Sequence, residues 1–154
     1  MTDFSILLYF VLITALPIAE LRGGIPFALL SGIDPATAFF IAVTVNSLVF
    51  FPIFFGLDFF YEKIFSKWNF VQRLVERTHK NGKPYIEKYG IVGLAVFVAI
   101  PLPITGAWTG TALAWLLGMC WKKSFLSVSA GVIVAGLIVT AISVGVLEGL
   151  KFLI

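Results

Sequence analysis

The chain has 154 residues, of which 60% are apolar, 16% aromatic and 12% charged, and its net charge is +3. Soluble domains are typically about 45–50% apolar and about 25% charged. So few charges cannot cover the large relative surface of a small soluble domain. The composition therefore excludes a soluble enzyme, a disordered tail, a disulfide scaffold and a zinc module. It predicts an all-α integral membrane protein of one domain, with no enzymatic activity and no cofactor.

Residues 4–33 predict a re-entrant helical hairpin. Two apolar arms of about 13 and 8 residues flank the polar stretch Glu20–Pro26. Neither arm reaches the ~20 residues that a spanning helix needs. Irregular backbone at membrane depth is tolerated only where protein or a water-filled cavity surrounds it. Residues 36–57 follow without a charge and predict a transmembrane helix.

The middle of the chain is strongly charged. Residues 58–88 hold 11 of the 19 charges, and seven of these are basic. Since the block lies between apolar segments, it favours a membrane-surface segment over a nucleic-acid site. Apolar residues at helical spacing predict an amphipathic interfacial helix, followed by a turn, within residues 58–89.

The second half of the chain repeats the layout of the first. Residues 91–120 predict a second re-entrant hairpin, broken at 101–110, and residues 124–149 predict a second transmembrane helix. An offset of 86 residues brings eight identities together without a gap. They are Leu16/Leu102, Pro17/Pro103, Ile18/Ile104, Gly24/Gly110, Ala28/Ala114, Leu30/Leu116, Gly32/Gly118 and Phe39/Phe125.

These matches predict two repeats, residues 1–57 and 90–154, of inverted topology. A hairpin returns to its own face and the following helix crosses, so the second copy starts on the opposite face. Inverted repeats are typical of secondary transporters. The positive-inside rule places residues 58–88 in the cytoplasm and both termini outside the cell membrane. So few helices make a thin protomer, which favours a homodimer.

The first predicted break holds two charges, Glu20 and Arg22. Placing either one near mid-membrane costs about 2.5–3.5 kcal/mol, so we expect the pair to be mutually satisfied or functional. Gly23 and Gly24 predict a flexible turn, and Pro26 is suited to begin the returning half-helix. Arg22 and that helix N-terminus would form a cradle for a phosphate or carboxylate. Glu20 would be its counter-ion or a proton carrier. The alternative is a purely structural role, in which a Glu20–Arg22 pair or a Glu20 cap holds the broken helix together.

The second predicted break is uncharged. Its candidate residues offer hydroxyl groups, turn-forming backbone and an indole that could line a cavity or join an aromatic belt. Together with Asn46 near the middle of the first span, they are Pro103, Thr105, Gly106, Trp108, Thr109 and Gly110. The sequence holds no metal-binding cluster, phosphate loop or nucleophile–base set, and it predicts no metal site.

The two breaks, Glu20-Leu-Arg-Gly-Gly-Ile-Pro26 and Pro101-Leu-Pro-Ile-Thr-Gly-Ala-Trp-Thr-Gly110, resemble the two motifs of the small multi-drug export protein family. The layout is similar to that of the DedA/VTT superfamily of membrane proteins. This second resemblance implies lipid translocation, especially of polyprenyl-phosphate carriers, and a membrane acidic residue that Glu20 matches in position. Arginines are usual in the second DedA motif, and Pro101–Gly110 has none.

Three functions remain open on the sequence. The leading one is a translocase for an anionic lipid or polyprenyl-phosphate-type carrier, with protons as a second partner. The second is a proton-coupled exporter of small cationic drugs, and the third is a non-transporting membrane assembly factor. Arg22 separates the first two, because it should attract an anion and repel a cation.

Overall fold

The computed structural model describes residues 4–63, 89–101 and 105–153, and the regular structure within them is helical. The helices are α1 (Phe4–Ala15), α2 (Glu20–Leu30), α3 (Pro35–Lys63), α4 (Tyr89–Ala99), α5 (Ala107–Leu116) and α6 (Trp121–Leu153).

Two of these helices are long and apolar enough to cross a membrane. The apolar stretches run over Pro35–Tyr61 in α3 and Trp121–Gly149 in α6. Both exceed the predicted spans 36–57 and 124–149. In α3 the helix continues to Lys63, so residues 58–63 do not belong to a separate surface helix. The reason is that no glycine or proline lies between Gly56 and the end of α3 at Lys63. The rest of the predicted interfacial helix lies outside the described residues.

The first chain break lies earlier than predicted. Helix α1 ends at Ala15 and α2 begins at Glu20, so Gly23, Gly24 and Pro26 lie inside α2. They are neither a flexible turn nor a helix start. Pro17 explains the shift, because it lacks an N–H for the preceding turn and disfavours helical backbone at Leu16. The backbone N–H of Gly23 already donates to the carbonyl of Ala19 at 2.8 Å.

The short helices α2 and α5 end in the same way. Gly32 and Gly118 have positive φ angles of 81° and 71°, a conformation that glycine adopts without steric cost. The next residue in each case donates its N–H back to the fifth residue before it. These bonds join Ile33 to Ala28 at 2.9 Å and Met119 to Ala114 at 3.0 Å. Both ends are therefore Schellman caps, separated by the offset of 86 residues that the sequence matches predict.

Burial follows the same offset. Each buried residue between Glu20 and Ile33 has a buried residue 86 positions later, in or next to α5. Four buried residues of α3 likewise have buried counterparts in α6. The pairs are Glu20/Gly106, Leu21/Ala107, Gly24/Gly110, Ile25/Thr111, Ala28/Ala114, Ile33/Met119, Ala38/Ser124, Ala42/Val128, Asn46/Val132 and Phe50/Gly136.

The long helices run antiparallel. The rings of Phe50 and Phe125 lie 5.4 Å apart, and those of Phe55 and Trp121 lie 6.1 Å apart. Towards the start of α3, Phe39 packs against Gly136 of α6. Helices α2 and α5 each contact both α3 and α6. Since α2 leads into α3 and α5 leads into α6, the two short helices point towards opposite ends of the molecule.

Helices α4 and α6 approach closely at small residues. A Cβ added to Gly131 would lie 2.6 Å from the backbone carbonyl oxygen of Ala95. One turn earlier, the Ser127 hydroxyl donates to the carbonyl of Ile91. Small residues allow such backbone contact between membrane helices. On the same helix, Gly145 has open space where a Cβ would lie.

Candidate functional site

The carboxylate of Glu20 lies at the N-terminus of α5. Glu20 is 5% exposed, and its Oε1 accepts a hydrogen bond from the backbone N–H of Trp108 at 3.3 Å. The backbone N–H of Ala107 also bonds to this carboxyl group. The first N–H groups of a helix have no partner within it, and they carry partial positive charge. Glu20, the first residue of α2, therefore caps α5 from the first half of the chain.

Gly106, the residue before α5, makes room for this cap. Its backbone is extended, with φ −141° and ψ −162°, so its conformation does not require glycine. A Cβ added to it would overlap the Glu20 carboxyl group. The space at Gly106 is thus occupied by the side chain that caps the helix.

Arg22 contacts the opposite side of the same break. Its Nη2 donates to the carbonyl of Ile100 at 3.2 Å, to the carbonyl of Thr105 and to the Thr105 hydroxyl at 3.3 Å. Ile100 directly follows α4, and carbonyl groups at a helix C-terminus carry partial negative charge. Arg22 and Glu20 therefore bind the two half-helix ends with the sign of charge that each end favours.

Trp108 makes the corresponding contact from the second half of the chain to the first. Its indole N–H donates to the carbonyl of Ala15, the last residue of α1, at 3.1 Å. Trp108 stands 86 residues after Arg22, so equivalent positions of the two halves each bind the end of the opposite half's first helix. The sequence analysis did not predict this role. The offset itself was the signal that could have revealed it.

The remaining predicted residues fall into separate groups. Asn46 is fully buried, and its amide N–H₂ lies 3.4 Å from the carbonyl of Thr14 and 3.3 Å from that of Ala42. It therefore lies beside the first break. Gly24 packs against α1 at Thr14, and Gly110 packs against α4 at Val98. Pro103 lies outside the described residues.

A small polar cavity lies where the two breaks meet. It is lined by Pro17, Ile18, Glu20, Arg22, Gly106 and Thr109, and its volume is about 20 Å³. A cavity of roughly 10–15 Å³ holds one water molecule. This cavity is therefore too small for a phosphate while Glu20 and Arg22 keep these positions. The predicted cradle also used the wrong helix. The helix N-terminus near Arg22 is that of α5 and not one that begins at Pro26, and the Glu20 carboxylate already occupies it.

The contact between Glu20 and Gly106 gives a testable prediction. Gly106→Ala should displace the carboxylate from α5 and lower the free energy of unfolding by about 1.5–3 kcal/mol, the value of a hydrogen bond to a charged group. Thermal unfolding in detergent measures the loss, with Gly145→Ala as the matched control. In a Glu20→Ala background the same change should add no further loss. An equal loss there would show that the methyl group acts on something else.

The comparisons with known proteins identify the family of the chain. Neither the curated proteins nor the solved structures include a match to the chain. A family model described as small multi-drug export protein matches residues 20–138. The match begins at the first residue of α2, includes α3, the second break and α5, and covers most of the chain. The family name describes a transporter, and together with the two long apolar helices it indicates a membrane protein. The chain therefore belongs to the small multi-drug export protein family.

Proposed function

We propose that the protein is a membrane transporter of two inverted repeats that moves an anionic lipid or lipid-linked phosphate across the bilayer. The shared caps, the matching buried positions and the antiparallel packing of α3 against α6 support the repeat. The short helices α1, α2, α4 and α5 would form two re-entrant hairpins whose breaks meet near mid-membrane. The resemblance to the DedA/VTT superfamily is in line with a lipid substrate.

One observation carries the choice of an anion. The Glu20 carboxylate already occupies a site made by the N-terminus of α5, beside the guanidinium of Arg22. Helix N-termini and arginine side chains are the groups that bind phosphate and carboxylate. A substrate phosphate would replace Glu20 there once Glu20 takes up a proton and moves away. Binding of the anion and of the proton would thus be coupled.

The family name favours a second candidate, an exporter of drugs. Such an exporter would be proton-coupled and would carry small cationic compounds. In that function Glu20 would bind proton and cation in turn. Arg22 argues against it, because its positive charge lies beside Glu20 and would repel a cation.

A transport assay in liposomes separates the two candidates. The full chain is reconstituted in phosphatidylcholine vesicles with either a short-chain polyprenyl phosphate or a cationic dye. We expect movement of the polyprenyl phosphate and at least a tenfold loss of it in Arg22→Gln. Glu148→Gln, which removes an exposed charge from α6, is the matched control and should transport normally. Dye export that improves in Arg22→Gln would contradict the proposal and favour the cationic exporter.

The topology gives a separate prediction. In a protein with Cys120 replaced by serine, cysteines at Ser5 and Lys122 should react with an impermeant maleimide from opposite faces of the membrane. The exposed basic pair Lys122-Lys123 and the basic block at 58–88 support a cytoplasmic location for the face on which they lie. Ser5 should therefore label from outside in intact cells, and Lys122 only after permeabilisation. Labelling of both from one face would contradict the inverted arrangement.

A further inference from the structure

Two apolar grooves lie at the surface of the described residues. The first runs between α2 and α6, has a volume of about 330 Å³ and is lined by Pro26, Leu30, Ile142, Ser143, Val146 and Leu147. The second runs between α4 and α5 and has a volume of about 270 Å³. Its lining includes Gly93, Leu94 and Phe97 of α4, and Leu113 and Leu117 at α5. Both volumes are near the lower limit of ordinary ligand pockets, about 300 Å³.

Each groove begins one helical turn from the polar cavity. Arg22 lines the cavity, and Pro26 and Leu30 follow it at four-residue steps along α2 into the first groove. Thr109 lines the same cavity, and Leu113 and Leu117 follow it at four-residue steps into the second groove. Residues four apart lie on one face of a helix. The cavity and the first groove therefore lie along one face of α2, and the cavity and the second groove lie along one face of α5.

The two grooves lead away from the cavity in opposite directions. Helix α2 ends where α3 begins, and α5 ends where α6 begins. Because α3 and α6 are antiparallel, these two starting points lie at opposite ends of the molecule. In the proposed topology, the α2–α6 groove faces the outer leaflet and the α4–α5 groove faces the cytoplasmic leaflet.

We infer that the two grooves bind the hydrocarbon chain of a membrane lipid, one groove in each leaflet, while its anionic head group passes through the polar junction between them. This inference rests on the proposed function and adds the route of the lipid chain. The apolar lining of the grooves suits only the hydrocarbon chain, since a charged head group there would lose its hydration without compensation. The head group instead meets Arg22, Thr109 and the N-terminus of α5. Their position on the two helix faces that begin at this polar site distinguishes both grooves from an ordinary lipid-facing surface.

Reversible filling of each groove tests the route without risk to folding. Single cysteines replace Ser143 in the first groove and Gly93 in the second, in the Cys120→Ser protein. Gly145→Cys and Gly56→Cys are the matched controls, because neither glycine lines a groove and both have open space around a Cβ. After reconstitution, octyl methanethiosulfonate attaches an eight-carbon chain to each cysteine. Mass spectrometry confirms complete labelling.

The measured quantity is the translocation rate of tail-labelled phosphatidic acid in phosphatidylcholine vesicles, followed by dithionite bleaching. Octylation at position 143 or at position 93 should each slow translocation at least tenfold, and dithiothreitol should restore the rate. Octylation of the two controls should change it by less than twofold. Unchanged rates with fully labelled grooves would overturn the inference and assign the grooves to bulk bilayer lipid. Parent protein that moves neither phosphatidic acid nor a tail-labelled short-chain polyprenyl phosphate would overturn the proposed function itself, and the route with it.

Discussion

The double variant Glu20→Leu with Arg22→Leu should fold and yet transport nothing, whereas Arg22→Ala should lose both stability and transport. Removing one partner of a buried charge pair typically costs about 3–5 kcal/mol, because it leaves the other charge unpaired. Replacing both with apolar groups is often close to neutral. Both variants remove the donor to the carbonyls of Ile100 and Thr105. Only Arg22→Ala also leaves the Glu20 carboxylate without the positive charge beside it, so the single variant should be the less stable of the two. Thermal unfolding and the liposome assay measure the two effects on the same preparations.

Glu20→Gln separates charge from shape at this site. Glutamine keeps a side-chain oxygen for the N–H of Trp108 but cannot ionise. It should remove any pH dependence of transport while anion binding is largely retained. A double leucine variant that transports normally would show that Glu20 and Arg22 only hold the two hairpins together. The transport site would then have to be sought elsewhere, at Asn46, Thr105 or Thr109.

Gly131→Ala should destabilise the protein far more than Gly145→Ala, although both glycines lie on α6. The added Cβ at Gly131 would meet the carbonyl oxygen of Ala95 and the side chain of Val98 on α4. A backbone atom cannot rotate away, so α4 and α6 must separate. We expect a loss of about 1–3 kcal/mol, typical of an overpacked site. At Gly145 the space is open and the change should be neutral or slightly stabilising.

Thermal unfolding of the two glycine variants in detergent, side by side, provides the measurement. Equal melting temperatures would contradict the close approach of α4 and α6. A Ser127→Ala variant gives an independent check, since its hydroxyl bonds the carbonyl of Ile91 on the same pair of helices.

The sequence predicts the helices of this fold well and their breaks less well. Composition and charge-free runs locate α3 and α6, and Pro, Gly and charged residues show that two breaks exist. The first break was placed at Glu20–Pro26 because its charges and glycines stand out. In the structure it lies at Leu16–Ala19, because Pro17 ends α1 and glycines inside a packed helix need not form a turn. Local composition does not distinguish a glycine that bends the chain from one, such as Gly24, that admits a neighbouring helix.

At the candidate site, the sequence predicts the charged residues but not their partners. Glu20 and Arg22 are identifiable from the sequence because two charges in an apolar segment require partners. Their partners are backbone groups at Ile100, Thr105 and Trp108, which belong to the opposite hairpin. Backbone atoms carry no sequence signal, so a contact between two half-helix ends becomes visible only in the folded chain. The absence of charge at the second break has the same origin, since its charged caps come from the first.

The backbone of Glu20 has a consequence for which residue can stand at this position. Glu20 is the one non-glycine residue with positive φ, at 48°, among those that the structure describes. Holding such a residue in the left-handed region costs about 1–3 kcal/mol. Glycine would adopt the same backbone without that cost, but it has no carboxylate for the N-terminus of α5. The chain therefore keeps a strained residue at the position from which the cap of α5 comes.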